Sequence, residues 1–368
     1  MRHPVGCMNK PTPQNEKSEA SAKDEIIVKF GLDVHASQIT VCRQVGDLSP
    51  QPPQKMTWAQ ALAFIKNSGG PSRRLHTCYE AGPFGYGLHR TLEEMGVRNI
   101  VVTPERLDPR CKRVKTDKRD SQTLAMRLDS HLKGNTSVLA KVWVPTPEQE
   151  QKRLFARQRQ ARCKEKQRAL KRARSLLLGQ GIGTPDNWWR EQHWKMLEKH
   201  LPDWLAEQVG YWRKTAIQMD ADIKAMEEKL QAAGERRRRP KGLGALSLEV
   251  LSREVLDWKR FKNRRQVSSY TGLCPSEYSS GETRSQGSVT KHGNPRVRHI
   301  LVEAGWRLLK WQPRYKPLEA VGQATSKSAR KKAIVAVARR FAVDLWRIET
   351  GQCRGEELGL VMVEGRED

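Results

Sequence analysis

The sequence predicts an α/β domain followed by a helical and strongly basic region, which is an α/β plus all-α organisation. Three observations support this prediction. Short apolar stretches alternate with helical patterns from residue 25 to residue 147. Residues 148–235 then contain little Gly or Pro and are rich in Arg, Lys, Gln, Glu and Leu. Lys and Arg number 68 against 41 Asp and Glu, so the formal net charge is +27.

The elements of the first part follow from the spacing of apolar residues. Residues 1–24 are polar and without periodicity, which predicts a disordered tail. Strands are predicted at 26–32, 38–45, 75–80, 99–102 and 142–144. Helices are predicted at 58–66, at 84–95 and from Asp117 to residue 133. A hairpin followed by strand–helix alternation predicts a mixed sheet covered by helices over residues 25–147, as in a ribonuclease H-like domain.

The remaining chain is predicted to be mainly helical. Residues 148–235 should form a basic, coiled-coil region, with one helix over 152–174 and a second over 201–233. The arginine run at 236–239, followed by Pro240, predicts a hinge and a domain boundary. A C-terminal domain is expected over 236–350, with helices at 246–256, 295–309 and 329–348, and a tail over 351–368.

Four carboxylates are the candidate metal ligands: Asp33, Glu80, Asp117 and Asp120. Asp33 and Glu80 each close an apolar stretch, where a strand should end. Asp117 and Asp120 are three residues apart and share one face of a helix. Converging carboxylates suit Mg²⁺ or Mn²⁺, the ions of two-metal phosphoryl chemistry. Each acid taken alone is equally well explained as a turn residue or a helix N-cap.

The positive charge predicts a polyanionic partner. A Gly-x-Gly turn at Lys241, Gly242 and Gly244 opens a predicted helix and is typical of a helix-hairpin-helix contact with a phosphate, although a plain helix cap explains it almost as well. His35 follows Asp33 closely, and two readings are open: a contact with the carboxylate site or, as the sequence favours, a solvated turn residue. The residues predicted to bind nucleic acid are Lys115, Arg157, Arg159, Lys171, Arg172, Lys241, Gly242, Gly244 and Lys291.

Other sequence features limit the possible classes of protein. The seven cysteines are scattered, which argues against a zinc site or a disulfide framework and favours a reducing cytoplasm. No apolar run approaches the length of a membrane span, so a cytoplasmic, nucleoid-associated protein is expected. Residues 270–294 form a segment rich in Gly and hydroxyl groups, which is expected to be a polar loop that binds a ligand or carries chemistry. An exposed serine of this segment becomes a candidate nucleophile beside a metal site.

Several short motifs together resemble one known family. They lie at 31–35, 79–87, 114–120, 270–277, 278–281 and 290–294. This set is similar to DEDD transposases of the insertion sequence 110 family, and most similar to its 1111 subgroup. The resemblance covers residues 26–350 and implies a RuvC-like ribonuclease H fold, a coiled-coil insert and a C-terminal transposase domain.

The resemblance also implies roles for residues and partners. Asp33, Glu80, Asp117 and Asp120 would be the metal-binding tetrad, and Ser280 would be the nucleophile. Donor DNA, target DNA and an element-encoded guide RNA would be the partners of a homo-oligomer, a dimer or tetramer. Ser279 remains an alternative to Ser280. A junction-type endonuclease that uses water, or a non-catalytic nucleic-acid-binding protein, remains an alternative function.

Overall fold

The computed structural model describes residues 25–104, 117–280 and 283–366. The chain forms two compact units, Met1–Val144 and Pro145–Asp368. The end of the first unit lies close to the boundary predicted at residue 147. The second unit includes both the predicted helical region and the predicted C-terminal domain. The tail predicted at 1–24 lies outside the described residues.

The first unit is built on a five-stranded mixed sheet, which confirms the predicted α/β class. Its strands are β1 Ile26–Val34, β2 Gln38–Val45, β3 Gln54–Thr57, β4 Arg73–Glu80 and β5 Arg98–Val102. Their order in the sheet is β3-β2-β1-β4-β5. Strand β2 is antiparallel to both β1 and β3, whereas β4 is parallel to β1 and β5 is parallel to β4. Its helices are α1 Trp58–Asn67, α2 Gly87–Glu94 and α3 Asp117–Leu132.

Both faces of the central strand β1 are covered, and the sequence of the strand reflects this. Phe30 and Leu32 pack with residues of α1 and α2, while Leu124 and Leu128 of α3 belong to a second apolar cluster that includes Cys78 of β4. Lys29 is also buried, and its ammonium forms an ion pair with Asp129 of α3 and donates to the carbonyl of Gly46 at 2.7 Å. The ion pair and the hydrogen bond offset the cost of burying the Lys29 ammonium, so a lysine can occupy a strand that is covered on both faces.

The second unit is mainly helical, as predicted. Its helices are α4 Pro147–Gly179, α5 Glu191–Glu198, α6 Asp203–Glu235, α7 Ala245–Val255, α8 Arg264–Thr271, α9 Pro295–Trp311, α10 Glu319–Gly322 and α11 Lys327–Glu349. Its strands are β6 Arg239–Pro240, β7 Pro275–Ser280, β8 Thr283–Val289 and β9 Met362–Val363. Within the described ranges, no helix is both long and apolar enough to span a membrane.

The helices α4 and α6 form a long antiparallel pair. Thr146 begins α4 with a capping box to Gln149, and Pro147 occupies the first turn, where its missing N–H costs nothing. Near the other end of α4, Ala173 and Leu177 pack in one cluster with Leu205 of α6. Ion pairs flank the contact, as in a coiled coil.

Two parts of the predicted organisation differ from the structure. The predicted tail at 351–368 contains Leu360, which is buried in the core, and β9, which pairs with β6. The arginine run predicted as a hinge is held by ion pairs, with Arg238 Nη2 lying 2.5 Å from Glu356 and its Nε 2.8 Å from Glu364. The acids that neutralise this run come from the end of the chain, so the run is part of the folded unit.

Candidate functional site

The candidate active site of the first unit lies at the carboxyl end of the parallel strands. Leu32 of β1 is paired with Tyr79 of β4, so the residues that follow them, Asp33 and Glu80, occupy the same edge of the sheet. Asp117 and Asp120 lie in the first turn of α3, as the sequence predicts. The candidate acids of the sheet and of the helix therefore belong to adjoining elements.

A glycine allows α3 to approach the sheet. A Cβ atom on Gly31 would lie 2.0 Å from the carbonyl oxygen of Ser121 and 2.4 Å from the amide nitrogen of Ala125. Both are backbone atoms of α3, so no side-chain movement could relieve the clash. Gly31 therefore permits the close packing that brings the first turn of α3 to Asp33, two residues further along β1.

The closest group of possible metal ligands contains Asp33, His35 and Asp117, whose ligand atoms all lie within 4.8 Å of one another. His35 Nε2 is 3.2 Å from Asp33 Oδ2 and 3.7 Å from Asp117 Oδ1. Glu80 and Asp120 do not belong to this group of ligand atoms. The sequence favoured a solvated turn for His35 over a contact with the site, whereas the structure places its ring against two acids.

Lys55 is the residue of this site that sequence reasoning missed, whereas His35 was considered but not favoured. The indole N–H of Trp58 donates to the carbonyl of His35 at 3.1 Å and holds the turn between β1 and β2. Lys55, on the edge strand β3, donates from Nζ to Asp117 Oδ2 at 2.9 Å. The position of His35, two residues after Asp33, was the sequence signal for its contact with the site. No such signal existed for Lys55, because β3 carries no apolar pattern.

The electrostatics of the two closest acids differ. Burial raises the pKa of Asp33 above its ordinary value, and the charges of Asp117 and Asp120 raise it further, against the opposing effect of His35. The hydrogen bond from Lys55 is the main reason that the pKa of Asp117 is lowered. The negative charges of Asp33 and Asp117 repel each other, and the two carboxylates already attract the ammonium of Lys55 and the imidazole of His35. Such a site is suited to a cation.

The serine segment of the second unit forms a β-hairpin, whereas the sequence predicted a loop. Strands β7 and β8 are antiparallel, and Ser280 is paired with Thr283 in the last described pair of the two strands. Ser279 is paired with Arg284. Both candidate serines therefore lie at the tip of a two-stranded hairpin.

The base of this hairpin is fixed by the neighbouring motifs. The amide of Lys291 donates to the carbonyl of Gly272 at 3.1 Å, and that of Asn294 donates to the carbonyl of Tyr270 at 2.8 Å. Gly293 has a φ of +148°, and a Cβ there would lie 2.5 Å from the carbonyl oxygen of Tyr270. The motifs at 270–277 and 290–294 thus hold the two ends of the hairpin together.

A buried carboxylate, Glu254 at the end of α7, links this base to α4. Its side chain is 0% exposed and accepts two hydrogen bonds from Arg157, each of 2.8 Å. It also accepts from Asn294 Nδ2 at 2.8 Å, while the hydroxyl of Tyr270 donates to its backbone carbonyl at 2.8 Å. Burial acts to raise the pKa of Glu254, but the hydrogen bonds from Arg157 and Asn294 outweigh it, and the pKa is lowered.

The predicted nucleic-acid contacts of α4 fall into two groups. Arg157 is bound to Glu254, and Arg159 forms an ion pair with Glu227 of α6, so both guanidinium groups already hold helices together. Lys171 and Arg172 are exposed, and the guanidinium of Arg172 stacks 4.8 Å from the centre of the Trp212 ring. Nucleic-acid binding by any of these four residues stays a prediction.

The remaining predicted contacts lie mostly on turns of the second unit. Gly242 has a φ of +99°, in the left-handed region, and Gly244 is the N-cap of α7 with no side-chain cap. Lys241 Nζ lies 4.7 Å from the centre of the half-exposed Trp311 ring. Lys291 is exposed and also has a positive φ, of 59°. Lys115 lies outside the described residues.

Comparisons with known proteins point to one family. A family model described as "Transposase IS116/IS110/IS902 family" matches residues 238–318, which include β7, β8 and the turn before α7. The chain is 33% identical over 300 residues to transposase y4rJ of Sinorhizobium fredii, covering 73% of this chain and 75% of that protein.

Two further relatives carry the same kind of name. A transposase for insertion sequence element IS1533 of Leptospira borgpetersenii is 28% identical over 76% of this chain and 85% of its own length. A transposase for insertion sequence element IS1111A of Coxiella burnetii is 24% identical over 72% of this chain and 74% of its own length.

Proposed function

Because the chain belongs to the IS116/IS110/IS902 family of transposases, we propose that it is a metal-dependent recombinase that cleaves and rejoins DNA strands to insert and excise a mobile element. The observation that carries this proposal is the approach of Asp33 and Asp117. Their carboxylates come from a strand and a helix that only a glycine at position 31 allows to pack so closely.

The donor set of the first unit fits a divalent cation. We assign Asp33, Glu80, Asp117 and Asp120 as the residues that would hold Mg²⁺ or Mn²⁺, because carboxylate oxygens are the ligands these ions prefer. When bound, such an ion supplies charge stabilisation at a scissile phosphate. Burial, and then the charges of Asp117 and Asp120, raise the pKa of Asp33, and a neighbouring cation would favour its charged form against both effects.

The second unit would supply the nucleophile. In the proposed step the Oγ of Ser280 forms a bond to the phosphorus, and the bond from phosphorus to the 3′ oxygen breaks. The serine proton is transferred to the departing 3′ oxygen, which leaves a free 3′-hydroxyl and a 5′-phosphoserine. Reversal of the step on another 3′-hydroxyl rejoins a strand without ATP, because the number of phosphate ester bonds is conserved. Ser279 is the alternative nucleophile at the same hairpin tip.

A trapping experiment tests the serine. An element-end duplex, nicked so that the released strand diffuses away, should leave the wild-type protein covalently attached to DNA. Peptide mapping should place the adduct on Ser280, and Ser280→Ala should form none. An adduct on Ser280→Ala would transfer the role to Ser279. Cleavage by the wild type without any adduct would favour the nuclease that uses water, and binding without any cleavage would favour a non-catalytic protein.

Target choice is proposed to come from a guide RNA. The predicted contacts at Lys241, Gly242 and Gly244 would read backbone phosphate and not bases, because a turn at a helix N-terminus offers amide N–H groups and a cation. A protein that reads only the backbone can obtain sequence specificity from base pairing with a guide. Donor and target DNA, together with an element-encoded RNA, are therefore the proposed partners, and a dimer or tetramer is the proposed assembly.

The guide is tested by purification. The protein should copurify with a discrete RNA, and exchange of the RNA sequence should redirect insertion. Lys171→Gln combined with Arg172→Gln should weaken RNA retention, since these two cations of α4 are exposed. If RNA-free protein recombines DNA with an unchanged target preference, a guide RNA is not required. The proposed DNA recombination would still stand.

A further inference from the structure

A cavity of about 410 Å³ lies in the first unit at the opposite end of the sheet from the carboxylates. Four cationic side chains line it: Lys66, Arg73, Arg74 and Arg98. They come from the last turn of α1, the start of β4 and the start of β5. We call this feature the basic cavity.

The position of the basic cavity follows from the direction of β4. The strand begins at Arg73 and ends at Glu80, so its first and last residues are about 23 Å apart at 3.3 Å per residue. Because β5 runs parallel to β4, Arg98 also lies at the starting end. One strand therefore has a cationic end and an anionic end.

The cations of the basic cavity are only partly neutralised. Arg74 forms an ion pair with Glu25, and Arg73 donates to the carbonyl of Ser68 at 3.3 Å. Among the residues that the structure describes, Lys66 and Arg98 have no carboxylate partner. None of the described residues that line the cavity is acidic. This differs from α4, where Arg157 and Arg159 are bound to acids.

The buried histidine His76 lies near these cations, and its pKa reflects their charge. Burial lowers the pKa of His76 below its ordinary value, and the charges of Arg98, Arg74 and Lys29 lower it further. Four cations that converge on one cavity repel each other, and an anion among them would remove that repulsion. The wall of the cavity includes Gly69 and Gly70, and a Cβ atom on Gly70 would meet nothing within 4 Å. The backbone at Gly70 is therefore accessible to a ligand.

We propose that the basic cavity binds a backbone phosphate of a nucleic-acid strand, at a site separate from the carboxylates. The nature of the polyanion rests on the proposed function. Guanidinium groups match the geometry of a phosphate, and an ammonium adds charge. DNA and RNA present the same phosphodiester, so either could supply the ligand.

The test is a binding titration with the full chain, using a short random-sequence DNA duplex and a short single-stranded RNA as probes. The variant Lys66→Gln/Arg98→Gln removes two exposed charges without breaking an ion pair between residues that the structure describes. Its matched control is Lys133→Gln, because Lys133 is exposed in the same unit but already forms ion pairs with Asp47 and Asp129. Thermal melting checks that all the proteins are folded.

The cavity variant should bind at least one probe several-fold more weakly. The slope of log K against log salt should become shallower by about 0.9 per lost phosphate contact on duplex DNA, or about 0.7 on a single strand. The probe that loses affinity identifies the source of the phosphate. Affinities and slopes equal to those of the control for both probes would overturn the inference and leave the proposed recombinase intact. A wild-type chain that binds neither probe would refute the proposed function itself.

Discussion

Replacement of Arg157 by Met should destabilise the second unit rather than act first on nucleic-acid binding. Met retains most of the apolar stem but removes both hydrogen bonds to Glu254, which is fully buried. Glu254 would keep Asn294 Nδ2 at 2.8 Å and Arg296 Nε at 3.8 Å. A buried carboxylate with fewer partners is costly, because water cannot reach it to replace the lost guanidinium.

The magnitude follows from the exposure of the two partners. Removal of one member of a buried ion pair costs roughly 3–5 kcal/mol. The side chain of Arg157 is 36% exposed, so part of its own pairing is already screened by solvent. We therefore expect a loss of about 2–3 kcal/mol in the free energy of unfolding. For a unit of this size the Tm should fall by about 4–12 °C.

Thermal unfolding followed by circular dichroism measures the effect. The matched control is Lys171→Met, an exposed cation on the same helix, whose Tm should stay within about 1 °C of the wild type. The double variant Arg157→Met/Glu254→Met should be more stable than Arg157→Met alone, because no unpaired charge is left buried. A wild-type Tm for Arg157→Met together with a sharp loss of nucleic-acid affinity would refute the reasoning and make Arg157 a nucleic-acid ligand.

Three further outcomes are expected. Asp117→Asn should abolish Mg²⁺-dependent cleavage of a labelled element end with little change in Tm or binding, and near wild-type cleavage would contradict the metal assignment. Gly31→Ala should lower the Tm of the first unit and prevent cleavage, because its Cβ would lie 2.0 Å from a backbone oxygen of α3; an unchanged Tm would show that α3 can move away freely. The lowered pKa of Glu254 contributes stability that is present above the ordinary pKa of 4.5 and is lost as the pH falls below that value. The urea midpoint of the wild type should therefore decrease between about pH 5 and pH 3. The midpoint of Glu254→Gln should decrease less over the same range, and an equal decrease would contradict this assignment.

The sheet and the long helices could be predicted from the sequence because their apolar residues recur with a clear period. Ile39 and Val41 of β2, and Leu124 and Leu128 of α3, report burial through spacing alone. The four acids were located for the same reason, since Asp33 and Glu80 lie at the ends of apolar strands and Asp117 and Asp120 lie at the start of the periodic helix α3. The edge strand β3 was missed because none of its residues is buried, and Lys55 was missed with it.

The partners of the basic residues could not be predicted, because ion pairs join residues that are distant in sequence. Arg157 and Glu254 are 97 residues apart, and Arg238 and Glu364 are 126 residues apart. A run of cations looks the same in a sequence whether its charge faces a phosphate or a carboxylate of the same chain. The hairpin of β7 and β8 was predicted as a loop because its Ser and Gly residues give no apolar alternation.

The ion pairs between α4 and α6 also fix the alignment of the two helices along their length. Arg159 pairs with Glu227, and Lys166, seven residues later, pairs with Asp220, seven residues earlier. A slip by one heptad would set Lys166 opposite Arg213 in one direction and Arg159 opposite Gly234 in the other, so of these three alignments only the observed one forms both ion pairs. Each helix has 33 residues and is roughly 50 Å long, and the ion pairs oppose sliding of one helix along the other. A change in length that keeps this heptad spacing requires matched insertions or deletions of seven residues in both helices, about 10 Å at a time.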